Sequence, residues 1–136
     1  MGPRCRVHWL FGMATILCID DEEPGLRVRK QLLESAGHSV ISARSGKEGI
    51  RLFQAEPVEA VVLDYWMPDM KGLAVAEELK RLNSKVPIIM LSAFSSILDE
   101  GIGKVDAWMT KGEIDPKDLL AMVSDLVGRT NQARRA

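Results

Sequence analysis

Cysteine, aromatic residues and net charge are all scarce in this chain. Only Cys5 and Cys18 occur, which excludes a disulfide framework and favours a reducing compartment, the cytoplasm. Eighteen basic and 19 acidic residues leave a net charge of −1, so no overall field attracts nucleic acid or a membrane surface. No later stretch reaches the roughly 20 apolar residues that a bilayer span requires. These absences favour an ordinary globular protein, and 136 residues suffice for one domain.

The N-terminal region allows two interpretations. Arg4 and Arg6 precede an uncharged stretch over residues 7–19, a pattern similar to a secretory signal peptide. The stretch is short, however, and lacks a clean small-residue cleavage site. We therefore interpret residues 15–19 as a buried first strand. Residues 1–13 are expected to be an extension, or the result of a start codon placed too early, with Met13 as the alternative start.

Short apolar runs alternate with segments of helical period along the rest of the chain. This alternation is typical of an α/β protein with a mainly parallel sheet. It predicts a doubly wound five-stranded parallel sheet with helices on both faces, and we expect the flavodoxin-like strand order 2-1-3-4-5. The predicted strands are residues 15–19, 39–42, 60–63, 88–91 and 105–109.

Helix signals stand between these runs. Pro24 suits a first helical turn and Gly37 the end of the same helix, while Ser45 and Glu48 have the spacing of a capping box. Asp115 is expected to cap the last helix.

The remaining helix signals set two further boundaries. The last helix is expected to end near Gly128, which predicts a domain over residues 14–128 and a flexible tail over 129–136. A fourth helix over residues 95–104 contains Gly101 and Gly103, so we expect it to be short or irregular.

Polar residues follow four of the predicted strands. Asp20 and Asp21 come after the first strand, Asp64 after the third, Ser92 after the fourth and Lys111 after the fifth. Ligands in doubly wound folds bind at the carboxyl ends of the strands. If the first and third strands are neighbours, the three carboxylates converge at the point where the strand order reverses.

Converging carboxylates repel one another unless a cation lies between them. Oxygen-only ligands at an exposed site favour Mg²⁺, which commonly bridges carboxylates to a phosphate. One carboxylate is then free to attack an activated phosphoryl group, and the pattern favours Asp64 as this nucleophile. Mg²⁺, the Lys111 ammonium and the Ser92 hydroxyl would stabilise the transferred group.

Each residue alone has a simpler explanation. The acidic run from Asp20 can complement a helix N-terminus, Asp64 can end a strand, and Ser92 and Lys111 can be solvated loop residues. Their joint occurrence at four strand ends in the required order favours a common site.

The motifs around these residues resemble those of the bacterial response-regulator receiver family of two-component signalling. The resemblance extends from about Thr15 to Val127. It is carried by TILCIDD at residues 15–21, VVLDYWMPDMKG at 61–72, IIMLSA at 88–93 and DAWMTK at 106–111.

The resemblance implies a phosphorelay switch with Asp64 as phosphoacceptor. It implies that Asp21 and Asp64 bind Mg²⁺ directly, that Asp20 acts through water or joins the shell, and that the Trp66 backbone carbonyl is a further ligand. Lys111 would pair with the phosphoryl oxygens. Phosphorylation would then draw Ser92 towards the phosphoryl group and change the rotamer of an aromatic residue on the last strand, here Trp108.

The chain departs from the family pattern at three places. Gly112 follows Lys111 where the family usually has a cis proline, and a non-proline cis bond costs about 2.5–4 kcal/mol, so the sequence leaves open whether this bond is cis or trans. The segment from Ser92 to Lys111 contains fewer residues than is usual in the family, and the missing residues fall in the fourth helix. Trp108 replaces a more frequent tyrosine or phenylalanine.

Three functions compete at this point. The first is a signalling switch that receives a phosphoryl group from a histidine kinase or phosphotransfer protein and binds a downstream protein target. It catalyses only its own phosphorylation and dephosphorylation, so we do not expect an enzyme acting on a separate substrate. The second is a receiver-like interaction module that does not switch by phosphorylation. The third is a metal-dependent phosphatase, which typically carries a second aspartate where Trp66 stands here.

The C-terminal residues limit the partners expected for this chain. After Gly128 only eight mainly polar residues remain, too few to form a DNA-binding domain. We therefore expect no nucleic-acid binding and no membrane binding by this chain, while a homodimer and a longer gene product stay open.

Overall fold

The computed structural model describes residues 14–93, 103–112 and 115–135. Over these residues the strands and helices alternate along the chain. They are β1 (Thr15–Ile19), α1 (Glu23–Ser35), β2 (Ser39–Ala43), α2 (Gly46–Ala55), β3 (Ala60–Asp64), α3 (Gly72–Leu82), β4 (Ile88–Ser92), β5 (Ala107–Thr110) and α4 (Pro116–Arg135). No helix of these ranges is long and apolar enough to cross a membrane.

The five strands form one parallel sheet of order β2-β1-β3-β4-β5, which confirms the predicted doubly wound topology. β1 pairs with β3, and Cys18 lies opposite Val62. Because the connections run to opposite sides of this pair, the carboxyl ends of β1 and β3 border the crevice at which such folds bind ligands.

The core has two halves, one on each face of the sheet. Leu17 and Leu63 belong to the half that packs against α2 and α3. Cys18 and Val62, which point the other way, belong to the half formed with α1 and α4. Burial of each large aliphatic side chain contributes roughly 1.5–3 kcal/mol, so both helical layers are needed to hold the sheet edge in place.

The predicted start and end of α1 and the predicted starts of α2 and α4 are confirmed. Pro24 lies in the first turn of α1, and Gly37 follows that helix with a positive φ of 95°. The hydroxyl of Ser45 accepts a hydrogen bond from the Glu48 N–H, and Asp115 Oδ1 accepts one from the Lys117 N–H. Glu48 itself accepts from the Arg44 N–H rather than from Ser45.

The predicted start of the fifth strand at Val105 is wrong. Regular pairing with β4 begins only at Ala107. Asp106 is joined to Ile88 by its N–H, which donates to the Ile88 carbonyl oxygen at 2.9 Å, and by its Oδ2, which accepts the Ile88 N–H at 2.7 Å. Lys80 Nζ also contacts Asp106 Oδ2, at 2.8 Å. The strands β2, β3, β4 and β5 each end one residue later than predicted. Asp64 and Ser92 are therefore the last residues of β3 and β4.

The predicted end of the last helix near Gly128 is also wrong, because α4 continues to Arg135. A glycine inside a helix costs only about 1 kcal/mol relative to alanine, and no proline follows it here. The Arg129–Asp125 ion pair at 2.9 Å spans Gly128 and supports the continuing helix.

Two predicted segments lie outside the described residues. These are the N-terminal extension over residues 1–13 and, apart from Gly103 and Lys104, the fourth helix over residues 95–104.

Candidate metal and phosphoryl site

The structure brings the three carboxylates together at one edge of the sheet. Asp64 ends β3, and Asp20 and Asp21 directly follow β1. Each of the three offers one carboxylate oxygen, and these oxygens all lie within 4.8 Å of one another. Asp20 and Asp64 are only 1% and 4% exposed, while Asp21 is half-buried. This cluster of hard oxygen donors is suited to a divalent cation such as Mg²⁺.

Lys111 reaches the same cluster from the end of β5. Its Nζ lies 3.0 Å from Asp20 Oδ2 and 3.3 Å from Asp64 Oδ1, and it also lies 3.3 Å from Glu22 Oε1. The Lys111 N–H donates to the Ser92 carbonyl oxygen, which extends the β4–β5 pairing up to the site. The bond between Lys111 and Gly112 is trans, and Gly112 takes a φ of 90°, a left-handed conformation that favours glycine.

Ser92 occupies the strand end between Asp64 and Lys111. It is 4% exposed and ends β4, the strand that separates β3 from β5. Its place in the sheet therefore matches the prediction from the sequence.

Burial and neighbouring charges shift the pKa values of Asp64 and Lys111. The pKa of Asp64 is raised from 3.8 to about 6, first by burial and then by the negative charge of Asp20, and Lys111 offsets part of this rise. Burial alone would lower the pKa of Lys111, but its hydrogen bond with Asp20 and the charge of Asp64 raise it above its ordinary value. Lys111 is therefore charged at neutral pH.

The loop after Asp64 is held by two close backbone contacts. The Gly72 N–H donates to the Tyr65 carbonyl oxygen at 2.7 Å, and a Cβ at Gly72 would lie 2.6 Å from the Asp64 carbonyl oxygen. Asp69 in the same loop accepts the N–H groups of Gly46 and Lys47, each at 3.0 Å. These contacts tie the loop to the start of α2, and sequence reasoning did not predict them.

Three aromatic residues pack together between the site and β5. Trp66 is 68% exposed and stacks on Tyr65 with 6.2 Å between ring centroids, and Lys71 Nζ lies 5.7 Å from the Trp66 ring. The ring centroids of Trp108 and Tyr65 lie 6.1 Å apart. The Trp108 Nε1 is buried and finds no acceptor within the part of the chain that the structure describes. Trp66, Tyr65 and Trp108 thus form one aromatic cluster, and Tyr65 directly follows Asp64.

Sequence reasoning missed Arg29, which belongs to this site. Its Nη2 donates to Asp20 Oδ2, the same oxygen that Lys111 contacts. The sequence did contain a signal: Arg29 stands between Leu26 and Leu33 on the apolar stripe of α1, where a charged residue is unexpected.

The parallel sheet and its acidic pocket place this chain among doubly wound α/β proteins that bind ligands at the carboxyl edge. The family model for the response regulator receiver domain matches residues 16–123. The chain therefore belongs to the response-regulator receiver domain family.

Individual relatives agree with this assignment. A probable transcriptional regulator ycf27 from Porphyridium aerugineum is 38% identical over 121 residues, which are 87% of this chain and 50% of that protein. The chain thus spans about half the length of the curated relatives it matches.

Solved structures show the same fold. A CheY-like response regulator receiver domain protein from Methanospirillum hungatei has a TM-score of 0.83 at 26% identity, covering 89% of this chain and 98% of that one. The response regulator TrrA from Thermotoga maritima, in complex with Mg(2+)-BeF, has a TM-score of 0.79 at 29% identity, covering 84% and 99%.

Proposed function

We propose that this chain is a phosphorylation-dependent signalling switch in which Asp64 accepts a phosphoryl group from a histidine kinase or a phosphotransfer protein. The observation that carries the proposal is the position of the Asp64 carboxylate, buried at the sheet edge between an acidic cluster and Lys111. The Mg(2+)-BeF complex of TrrA supports the same chemistry by similarity.

The reaction is a transfer between two nucleophiles. A carboxylate oxygen of Asp64 attacks phosphorus, the bond from phosphorus to the donor's nitrogen or oxygen breaks, and an acyl phosphate forms. Lys111, which already contacts Asp64, pairs with the phosphoryl oxygens, and the Ser92 hydroxyl contributes a further hydrogen bond.

Mg²⁺ is the cofactor that the donor set fits. Asp21 and Asp64 would hold it directly, Asp20 would hold it through water or as a further ligand, and the backbone carbonyl of Trp66 would complete the protein ligands. When bound, it neutralises charge on the transferred phosphoryl oxygens.

Receiver domains are in general switches rather than enzymes that act on a separate substrate. We propose that this one catalyses only its own phosphorylation and the hydrolysis that ends the signal. Ser92 and Trp108 transmit the modified state to a surface that binds a downstream protein in the cytoplasm. The receiver unit is proposed to occupy residues 14–128, preceded by an extension over residues 1–13. Residues 129–136, predicted to be a tail, continue the helix α4 up to Arg135.

The experiment is phosphorylation by acetyl phosphate, with and without Mg²⁺, measured as intact mass. We expect one phosphoryl adduct on the wild type that depends on Mg²⁺ and is absent from Asp64→Asn. Asp125→Asn is the matched control, because this exposed aspartate of α4 pairs with Arg129 and lies outside the carboxylate cluster, and it should be modified like the wild type.

Two results would count against the switch. An adduct that persists in Asp64→Asn would place the phosphoacceptor elsewhere. A folded wild-type protein that resists both acetyl phosphate and histidine kinases would support the module that does not switch by phosphorylation.

A further inference from the structure

Arg29 is a cation built into the buried face of α1. Its side chain is only 12% exposed, and its guanidinium donates to Asp20 Oδ2. Gly25 lies one helical turn earlier, and a Cβ there would lie 3.4 Å from both terminal nitrogens of Arg29. The guanidinium therefore packs against the backbone of its own helix and towards the sheet edge rather than extending into solvent.

The carboxylate of Asp20 already has protein donors on both oxygens. Oδ1 accepts the Glu22 N–H at 2.9 Å, and Oδ2 accepts from Arg29 and lies 3.0 Å from Lys111 Nζ. Any cation that recruits Asp20 has to displace one of these donors or bind beside the positive charge of Arg29.

The net charge of the site also shows that Arg29 opposes the binding of a cation. The three clustered carboxylates carry −3, and Lys111 reduces this to −2 when the mainly exposed Glu22, which also contacts Lys111, is left out of the count. Arg29 reduces it further, to −1. A divalent cation is attracted more weakly to a site of charge −1 than to one of −2.

We propose that Arg29 is an internal counter-ion that competes with the divalent cation for the acidic cluster, and so raises the Mg²⁺ concentration at which the site is occupied. This inference rests on the proposed function, because it takes the cluster to be the Mg²⁺ site. Arg29 is a positioning residue in this scheme: it acts on Asp20 and takes no part in the transfer itself.

The test is a titration with Mg²⁺ alone, without a phosphodonor, followed by tryptophan fluorescence, for which the exposed Trp66 next to Asp64 is a suitable reporter. Arg29→Met removes the charge but keeps an unbranched side chain, and we expect it to bind Mg²⁺ about tenfold more tightly. Arg29→Lys keeps the charge and should stay close to the wild type.

Arg27→Met is the matched control. Arg27 lies on the same helix, is 66% exposed and pairs with Glu23 rather than with the cluster. Its loss removes the same unit charge from the chain, so it should change the Mg²⁺ affinity less than about twofold, since exposed charges are screened.

Equal or weaker Mg²⁺ binding by Arg29→Met would overturn the proposal. If that variant does not fold, NMR of the ¹⁵N-labelled wild type tests the proposal through the side-chain N–H signals of Arg29. They should shift as Mg²⁺ saturates the site, and unchanged signals at saturation would overturn the proposal too. A wild type that binds no Mg²⁺ at all would instead refute the metal site on which the proposed function depends.

Discussion

The Nζ atom of Lys111 lies 3.3 Å from Oδ1 of Asp64, although Asp64 ends β3 and Lys111 follows β5, two strands that are separated by β4. The lysine reaches this position with a trans peptide bond before Gly112. The replacement of the family's usual proline therefore leaves the contact between lysine and aspartate in place.

Loss of the lysine charge should slow phosphorylation. In Lys111→Met the oxygens of the incoming phosphoryl group lose a charge-assisted partner inside a buried site, and we expect the rate of adduct formation to fall by roughly 10- to 1000-fold. The initial rate with acetyl phosphate at saturating Mg²⁺ measures this. Lys85→Met, which removes an exposed lysine before β4, should leave the rate unchanged, and equal rates in both variants would refute a role for Lys111.

The buried charge of Asp64 should destabilise the metal-free fold at neutral pH. The folded-state pKa of about 6 lies above the ordinary 3.8, so between these values the native state binds more protons than the unfolded state. The contribution of Asp64 to the stability of the wild type therefore rises as pH falls through about 6, and it levels off near pH 3.8, the ordinary pKa of aspartate.

Asp64→Asn removes that penalty and should raise the free energy of unfolding at pH 7 by roughly 1 kcal/mol or more. Urea unfolding in the presence of a chelator at pH 7 and pH 4.5 measures the difference, which should shrink at the lower pH. A difference that grows on acidification would show that the sign is wrong.

Two glycine substitutions should have opposite effects. A methyl group at Gly72 meets the Asp64 carbonyl oxygen at 2.6 Å and the Tyr65 Cα at 2.7 Å, so Gly72→Ala should cost roughly 1–3 kcal/mol. Gly128→Ala meets nothing within 4 Å and lies inside α4, so it should gain up to about 1 kcal/mol. Thermal or urea unfolding distinguishes the two, and a stable Gly72→Ala protein would contradict the close approach described here.

The Asp69 carboxylate should stabilise the junction between its loop and α2. Its hydrogen bonds from the Gly46 and Lys47 N–H groups contribute to holding its pKa below the ordinary value. Asp69→Ala should therefore cost roughly 0.5–1 kcal/mol at pH 7, as for the loss of a helix cap.

Because the folded-state pKa of Asp69 is lowered, this contribution is present above the unfolded value and is lost as pH falls through the folded one. Urea unfolding at pH 7 and pH 3 measures the change. Glu34→Ala, which removes an exposed carboxylate of α1, should show no comparable loss at pH 7, and a pH-independent cost for Asp69→Ala would argue against a charge effect.

Most of the fold followed from local patterns in the sequence. The alternation of short apolar runs with helical segments predicted the parallel sheet, and the expected doubly wound strand order then made the carboxylates of Asp20, Asp21 and Asp64 neighbours. These features are predictable because parallel strands joined by right-handed crossovers have few ways to pack.

Boundaries were less predictable, for reasons that particular residues make clear. Asp106 looked like part of a strand, but it contacts Ile88 through both its N–H and its side-chain oxygen, and regular pairing starts at Ala107. Gly128 looked like a helix end, but α4 continues through it to Arg135, since one glycine costs a helix only about 1 kcal/mol. In both cases the structure of the neighbouring residues overrides the preference of a single residue.

Apolar periodicity and turn residues were thus enough to establish the fold class and the edge at which the site lies. The contacts within the site needed the folded chain, since Lys111 and Glu22 are 89 positions apart and Arg29 meets Asp20 only when α1 packs on β1. Periodicity is a property of neighbours along the chain and can be read directly from it. Ion pairs and pKa values depend on distances of a few ångströms between distant segments, and only tertiary packing sets those distances.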